Sequence, residues 1–153
     1  VNKLNELNNQ LNNINQTKIR KAIIHNDLSE VNILVKDNKL QAFIDWDDFG
    51  YNAVVNDIGV FIAHGFIRSK IIKIDKIKLF LKEYQKYINL NLEEKKAIYY
   101  LVKYRLFGII QWYIKYSKER IDKLNELENG YHRNIARLER FEKISLKEFL
   151  TYY

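Results

Sequence analysis

The chain has 153 residues, of which 47% are hydrophobic and 29% are charged, a composition typical of soluble globular proteins. No apolar run approaches the roughly 20 residues that span a bilayer, and the absence of cysteine excludes disulfides and thiolate metal sites. The formal net charge is +7, but the segment from His25 to Asp57 holds seven acidic residues and only two basic ones. An acidic centre in a basic chain suits a site that holds a cation and attracts polyanions, although a lysine-rich surface also serves solubility alone.

Two absences bear on the kind of molecule that the sequence describes. The chain contains no methionine, so we expect a processed product or part of a longer protein. It contains no cysteine, which fits the reducing cytoplasm. We therefore expect a cytoplasmic protein and, because no linker divides the predicted elements, a single domain over residues 1–153.

The first predicted elements are a helix and a hairpin. Apolar residues near the start recur at spacings of three and four and predict one helical stripe: Leu4, Leu7, Leu11 and Ile14. A short apolar run, Ala22 to Ile24, then leads into His25. The runs Asn32 to Lys36 and Lys39 to Trp46, joined by the turn signal Asp37-Asn38, predict a β-hairpin.

A two-residue turn also predicts the register of this hairpin. Val35 then lies opposite Leu40, and Ile33 lies opposite Ala42. One face is apolar throughout and is expected to pack on a core: Ile33, Val35, Leu40, Ala42 and Ile44.

The opposite face of the hairpin carries two polar side chains. The register makes Asn32 and Asp45 diagonal neighbours, about 7–8 Å apart at the backbone. At that distance both side chains can reach one ion.

The remainder of the chain is predicted to be helical. The nearly continuous apolar stretch 57–67 predicts a helix buried on most sides, with Asp57 as its N-cap, and Asp75 is expected to cap the next helix. Asn91, with Glu94 three residues later, resembles a capping box. The helix that it opens has one stripe that includes a charged residue: Ile98, Leu101, Val102, Arg105, Leu106 and Ile109.

Further helical pattern follows towards the end of the chain. It runs from Ser117 to Glu128, is expected to stop at Asn129-Gly130, and resumes as far as Ile144. Ser145 and Glu148 form a last predicted capping box. The predicted fold class is therefore mainly α with a small β-hairpin.

One stretch carries a recognisable arrangement of polar residues. His25-Asn26-Asp27-Leu28-Ser29-Glu30-Val31-Asn32 is a His-x-Asp-x-x-x-x-Asn pattern, and Ile44-Asp45-Trp46-Asp47 follows at the end of the next predicted strand. This stretch resembles the catalytic loop and metal-binding segment of the aminoglycoside phosphotransferase and choline kinase family, relatives of the protein kinases. The resemblance implies an ATP- and Mg²⁺-dependent kinase that phosphorylates a hydroxyl of a small molecule.

The resemblance also implies a division of the chain. Residues 1–20 would be a leading helix, residues 23–57 the catalytic loop and metal-binding hairpin, and residues 57–153 a helical subdomain, together forming a protein-kinase-like C-terminal lobe. The five glycines are isolated, and no strand supplies a lysine for nucleotide phosphates. We therefore expect the N-terminal nucleotide lobe to be absent from this chain, and the isolated chain to be inactive without it.

Residue roles follow from the resemblance. Asp27 corresponds to the base that orients the acceptor hydroxyl and takes its proton. Asn32 and Asp45 correspond to the Mg²⁺ ligands, and Asp47 is a further candidate for metal or substrate. His25 and Asp57 correspond to residues that brace the catalytic loop.

The sequence departs from the family at Asn26, where glycine is usual, and at Glu30-Val31, where proline and glycine are common.

A literal Asp-Phe-Gly at Asp48-Phe49-Gly50 offers a rival metal ligand. In a strand that continues to Trp46, Asp48 has the opposite side-chain parity to Asp45, so we predict that Asp48 is a turn residue.

Other candidate residues have simpler interpretations. His64 is most simply a packed or helix-end histidine. Aromatic residues at helical spacing could line a substrate pocket but are more often core: Trp112, Tyr113 and Tyr116. A basic run could contact nucleic acid, but Glu139 and Glu142 interrupt it and favour a solvated helix face: His132, Arg133, Arg137, Arg140 and Lys143.

Two further hypotheses compete with the kinase. The chain could be a catalytically silent kinase-like remnant or interaction module, because the nucleotide lobe is missing. Nucleic-acid binding through the basic body is the third interpretation. For a kinase, the basic helical part favours a neutral or zwitterionic acceptor over a polycationic one.

Overall fold

The structure, a computed structural model, describes residues 2–119 and 123–153. Most of these residues are helical, and the predicted mainly α fold class is confirmed. The α-helices are α1 (Asn2–Asn12), α2 (Val55–Phe66), α3 (Ile74–Tyr84), α4 (Leu92–Glu119), α5 (Leu124–Glu142) and α6 (Leu146–Phe149). The strands are β1 (Lys21–Ile24), β2 (Ile33–Lys36), β3 (Lys39–Phe43) and β4 (Gly50–Ala53).

The strands form two separate antiparallel pairs. The predicted hairpin is the pair β2–β3, whereas the pair β1–β4 was not predicted. In the second pair Ile24 lies opposite Gly50. The loop that follows β1 and the loop that precedes β4 are therefore held side by side.

The turn of the β2–β3 hairpin is the predicted one, but the register is correct only beside it. Asp37 and Asn38 have φ values of 51° and 57°, as a two-residue type I′ turn requires. Val35 lies opposite Leu40 as predicted. A β-bulge then shifts the pairing by one residue, so that Ile33 lies opposite Phe43 and the predicted pairing with Ala42 is wrong.

The apolar face of the hairpin does not pack on a core, contrary to prediction. Val35 is 61% exposed and Leu40 is 55% exposed. The buried core of the described chain is instead made mainly of side chains from the helices.

Helix α2 lies at the centre of that core. It buries most of its length, as its apolar sequence predicts, and it packs against α4. A Cβ added at Gly59 would lie 2.9 Å from Cβ of Leu101, so the glycine allows the two helices to approach closely. Asp57 is not the N-cap, because the helix begins one turn earlier with Val54 in that position.

The start of α4 is fixed by the predicted capping box. The Glu94 amide donates to Asn91 Oδ1 at 3.0 Å, and the Asn91 amide donates to Glu94 Oε2 at 3.1 Å. The buried Glu94 carboxylate also accepts two bonds from the Arg20 guanidinium, at 2.7 and 2.6 Å. This bidentate pair ties the residue before β1 to the first turn of α4.

Two other predicted helix boundaries are wrong. Asp75 lies inside the first turn of α3, whose N-cap is Lys73. Helix α5 continues through Asn129-Gly130, and Gly130 leaves room for the Tyr113 ring, which packs too close to allow a Cβ there. Part of the stretch predicted as helix from Ser117 to Glu128 falls on residues 120–122, outside the described residues.

The last predicted capping box forms the hydrogen bond from its Glu148 amide to the Ser145 side chain. The Glu148 amide donates to Ser145 Oγ at 3.0 Å and opens α6. Within residues 2–119 and 123–153, no helix is both long and apolar enough to cross a membrane.

Candidate active site

The loop that joins β1 to β2 carries the His-x-Asp-x-x-x-x-Asn pattern and is anchored by α2. The Asp57 carboxylate accepts hydrogen bonds from the backbone amides of His25, at 3.0 Å, and Asn26, at 2.8 Å. Since two charge-assisted bonds hold consecutive amides, the start of the loop is tied to the first turn of α2.

Asn26 occupies a position that glycine would fill easily. Its φ of 64° lies in the left-handed region, which asparagine tolerates better than most side chains. Its Oδ1 accepts hydrogen bonds from the side-chain amides of Asn52, at 3.1 Å, and Asn56, at 3.2 Å. Asn26 therefore keeps the backbone conformation of a glycine and adds contacts to β4 and α2.

His25 connects the loop to the segment that follows β3. The side chain is 2% exposed, and its Nε2 lies 2.8 Å from the carbonyl oxygen of Ile44. The imidazole also packs against the Trp46 ring, with 4.7 Å between ring centroids. This contact holds the loop against the residues on either side of Asp45.

Asp27 and Asn32 are in direct contact. Asn32 Nδ2 donates to the Asp27 carbonyl oxygen at 2.9 Å and lies 3.4 Å from Asp27 Oδ2. Asn32 is buried at the end of a short 3₁₀ turn, Glu30–Asn32, and its carbonyl accepts from the Ile44 amide at 3.0 Å. The backbone of Asn32 therefore lies close to the residue before Asp45, but the bulge shifts the register from which Asn32 and Asp45 were predicted to be diagonal neighbours, so that pairing is wrong.

The three acidic candidates after β3 lie in an exposed loop. Since β3 ends at Phe43, the strand does not reach Trp46, and the parity argument that separated Asp48 from Asp45 is wrong. Asp48 does lie in a turn together with Asp47. Asp45 differs from both in having a φ of 63°, a strained conformation of the kind that concentrates at functional sites.

Asn32 and Asp45 carry the kind of oxygen donors that Mg²⁺ prefers. Among the described residues no group of three or more His, Asp or Glu side chains is arranged to hold a metal ion. Asn32 and Asp45 offer one amide oxygen and one carboxylate, and Asn32 Oδ1 accepts no hydrogen bond from the described residues. Mg²⁺ commonly takes only one or two carboxylates and completes its shell with phosphate oxygens and water.

Two residues that sequence reasoning did not place in the site also contact it. Arg105 Nη2 on α4 donates to Asp27 Oδ1 in an ion pair, and Arg105 Nε donates to His64 Nε2 at 3.0 Å. Burial first, and then the positive charges of Arg105 and Arg137, lower the pKa of His64 to about 4. The signal in the sequence was a charged residue, Arg105, within an otherwise apolar helical stripe.

The basic run on α5 was predicted to face solvent, and this prediction is wrong for two of its arginines. Arg137 Nε donates to the Ile67 carbonyl at 2.8 Å, and its Nη2 donates to the Ala63 carbonyl. Arg140 Nε donates to the Ser69 carbonyl at 3.1 Å. These side chains satisfy carbonyls at and beyond the end of α2, so they tie α5 to the segment between α2 and α3.

The aromatic cluster on α4 is not core. Trp112 is 48% exposed and stacks on Tyr116, with 4.3 Å between ring centroids. Tyr113 is half-buried and lines a pocket of about 420 Å³ between α4 and α5. This pocket lies further along α4 than Arg105, and neither Asp27 nor Asn32 lines it.

A comparison with family models finds a match over part of the chain. Residues 3–76, slightly less than half of the chain, match the model of the phosphotransferase enzyme family. No curated protein matches the chain. The match runs from α1 into the first turn of α3 and includes the whole site between His25 and Asp57. The resemblance to the aminoglycoside phosphotransferase family is therefore confirmed over this stretch, and it indicates an enzyme of the phosphotransferase type.

Proposed function

We propose that the chain is the catalytic half of a kinase that transfers the γ-phosphoryl group of ATP to a hydroxyl of a small molecule. The observation that carries the proposal is the contact between Asp27 and Asn32 in a loop anchored by Asp57, inside the matched region. In this proposal residues 1–153 form one domain, the C-terminal lobe of a protein-kinase-like fold in the cytoplasm.

Asp27 is the proposed base. Phosphoryl transfer proceeds through a loose transition state, so the protein gains most by positioning the acceptor hydroxyl and neutralising charge. Asp27 is only partly buried, and its backbone is held through Asn32, so its carboxylate can accept a hydrogen bond from an incoming hydroxyl. It takes the proton as that oxygen bonds to the γ-phosphorus of ATP, while the bond from this phosphorus to the bridging oxygen breaks and ADP leaves.

Asn32 and Asp45 are the residues that would hold Mg²⁺. The ion neutralises phosphate charge and orients the phosphates when it is bound. Asp45 has an unusual backbone conformation next to Ile44, and Asn32 is fixed by Asp27 and Ile44. Asp47 is proposed to bind a second metal ion or to contact the substrate.

The charges near Asp27 bear on the acceptor. Arg105 contacts the carboxylate, and burial, followed by the positive charges of Arg105 and Arg137, lowers the pKa of His64 nearby. Glu30, the other acid in this group, is paired with Arg68 at 2.5 Å. A polycationic acceptor would be repelled here, which favours a neutral or zwitterionic metabolite.

The test is Asp27→Ala, assayed in the protein that carries this chain with MgATP and a panel of hydroxylated acceptors. We expect turnover to fall by about 10²–10⁴, the usual contribution of a general base, while nucleotide binding is kept. The control is Asp75→Ala, which removes an exposed carboxylate from the first turn of α3 and should leave turnover unchanged. Equal turnover for wild type and Asp27→Ala would refute the assignment.

A silent kinase-like interaction module is the second candidate. It is favoured by the exposed apolar residues of the hairpin, which suit a contact surface. A silent module would transfer no phosphoryl group to any acceptor in the panel, and Asp27→Ala would have no effect on it.

A further inference from the structure

Arg105 joins three separate elements of the fold. Arg105 lies on α4, far along the sequence from the catalytic loop. Its guanidinium nevertheless contacts His64 on α2 and Asp27 in the loop. We call this series of contacts, His64–Arg105–Asp27, the Arg105 bridge. The guanidinium is planar and its N–H groups form a rigid fork, so fixing Nε also fixes the direction of the N–H that points at Asp27.

His64 acts in the bridge as an acceptor. Arg105 Nε carries a hydrogen and can only donate, so His64 Nε2 must be unprotonated and the ring neutral, with its hydrogen on Nδ1. The lowered pKa of His64, caused first by burial, agrees with a neutral ring near pH 7. His64 is therefore placed to hold Arg105 rather than to exchange protons with the substrate.

The two oxygens of Asp27 contact different parts of the chain. Oδ1 accepts from Arg105, which belongs to the helical part of the chain, and Oδ2 lies 3.4 Å from Asn32 Nδ2 in the loop. A base is effective only when its lone pair points at the hydroxyl, and a misplacement of about 1 Å can cost on the order of 100-fold in rate. The carboxylate needs a partner outside the loop to keep its plane fixed.

We propose that Arg105, held by His64, is a positioning residue that sets the orientation of the Asp27 carboxylate. This inference rests on the proposed function, because it assumes that Asp27 accepts the proton. It makes α2 and α4 part of the catalytic apparatus, although neither Arg105 nor His64 belongs to the motif of the loop.

The activity test compares variants of the bridge in the protein that carries this chain. Arg105→Gln should lower kcat by about 10- to 100-fold, with little change in KM for ATP, since the base is misaligned but the nucleotide site is untouched. Arg105→Lys should recover part of this loss, because one ammonium group reaches either Asp27 or His64 but not both. Lys115→Gln, which removes the same charge from an exposed position on α4, is the control and should behave as wild type.

His64 variants test whether the effect passes through Arg105. His64→Gln keeps an acceptor oxygen and should retain most of kcat, whereas His64→Leu removes the acceptor and should lower kcat about tenfold. The double variant Arg105→Gln, His64→Leu should be no slower than Arg105→Gln alone, because His64 acts only through Arg105. Additive losses, or no loss on Arg105→Gln while Asp27→Ala is inactive, would overturn the proposal and leave the proposed function standing.

A second measurement separates failure of the bridge from failure of the proposed function. In the 153-residue chain, ¹⁵N NMR should show His64 neutral with its hydrogen on Nδ1, and Arg105→Gln should raise its pKa by removing a neighbouring positive charge. If wild type shows no phosphotransfer but His64 behaves in this way, the bridge exists and the kinase assignment is wrong. If His64 titrates identically in both proteins, the bridge itself is refuted.

Discussion

Asn26 and Asp45 have left-handed backbone conformations, and each lies next to a residue of the proposed site or belongs to it. Conformations of this kind cost on the order of 1–3 kcal/mol for most side chains and persist where surrounding contacts maintain them. Around Asn26 those contacts are the Asp57 carboxylate and the amides of Asn52 and Asn56. The loop geometry thus depends on a few polar bonds rather than on a glycine.

His64 should make the stability of the chain depend on pH. Its pKa of about 4 in the folded state lies below the ordinary 6.5 of the unfolded state, so between these values the unfolded chain binds the proton and the folded chain does not. Stability should fall as pH decreases through this range. Arg105 and Arg137 oppose the protonated ring, while Asp27 and Glu30 partly offset them.

The measurement is urea denaturation at pH 7 and pH 5 for wild type and His64→Gln. Wild type should lose about 1–2 kcal/mol more than the variant between these pH values, after discounting for the part of the ring that water reaches. The variant serves as the control, because every other titrating group is unchanged. Parallel losses in the two proteins would contradict a depressed pKa at His64.

At the level of single residues, sequence motifs located the catalytic loop but not the distant residues that contact it. The spacing of His25, Asp27 and Asn32 can be seen directly, because the chemistry requires those residue types within a few positions. Arg105 is 78 residues from Asp27, and only tertiary packing brings them together. The single local signal was the charge of Arg105 inside an apolar helical stripe. That signal does not indicate which residue Arg105 contacts.

Among the helices, the contact of α2 with α4 depends on Gly59. A methyl group there would meet Leu101 Cβ at 2.9 Å and the Leu101 carbonyl carbon at 3.3 Å, and the carbonyl cannot move without shifting α4. Gly59→Ala should therefore destabilise the chain by about 1 kcal/mol, because an overpacking cost of about 1–3 kcal/mol exceeds a helix-propensity gain of about 1 kcal/mol.

Gly108→Ala provides the matched control within α4. A Cβ at Gly108 meets no atom within 4 Å, so only the propensity gain remains and stability should rise by about 0.5–1 kcal/mol. Chemical denaturation of both variants measures the difference. Equal gains at the two glycines would show that α2 and α4 are not in close contact at Gly59.

Element type was easier to predict than element boundaries and pairing. The apolar periods of α1 and α2 and the Asn91 capping box identified helices correctly, because they act within one or two turns. The β1–β4 pair joins strands whose partners are 26 to 32 residues apart, with three of the four residues of β1 exposed, so neither alternation nor a turn signal marks it. Gly130 lies inside helix α5 and leaves room for the distant Tyr113 ring, so here the glycine serves close packing and does not end the helix.

In the molecule as a whole, the acidic segment is held by cations of the basic part. Arg105 contacts Asp27, and Arg68 is paired with Glu30. The uneven charge in the sequence therefore reflects ion pairs between the acidic segment and the basic remainder of the chain. It did not show that the apolar face of the hairpin stays exposed, because periodicity predicts that residues share a face but not what covers it.

In the proposed active site, Asn32 and Asp45 hold a divalent cation together with a nucleotide, beside Asp27. Paramagnetic Mn²⁺ substitutes for Mg²⁺ with the same preference for oxygen ligands and broadens NMR signals close to it. With ATP added to the ¹⁵N-labelled chain, we expect Mn²⁺ to broaden the amide signals of Asn32, Asp45 and Asp27 first. Asp45→Asn should weaken this broadening strongly, whereas Asp75→Asn should not. Broadening that begins elsewhere in the chain, or that is unchanged in Asp45→Asn, would contradict the account.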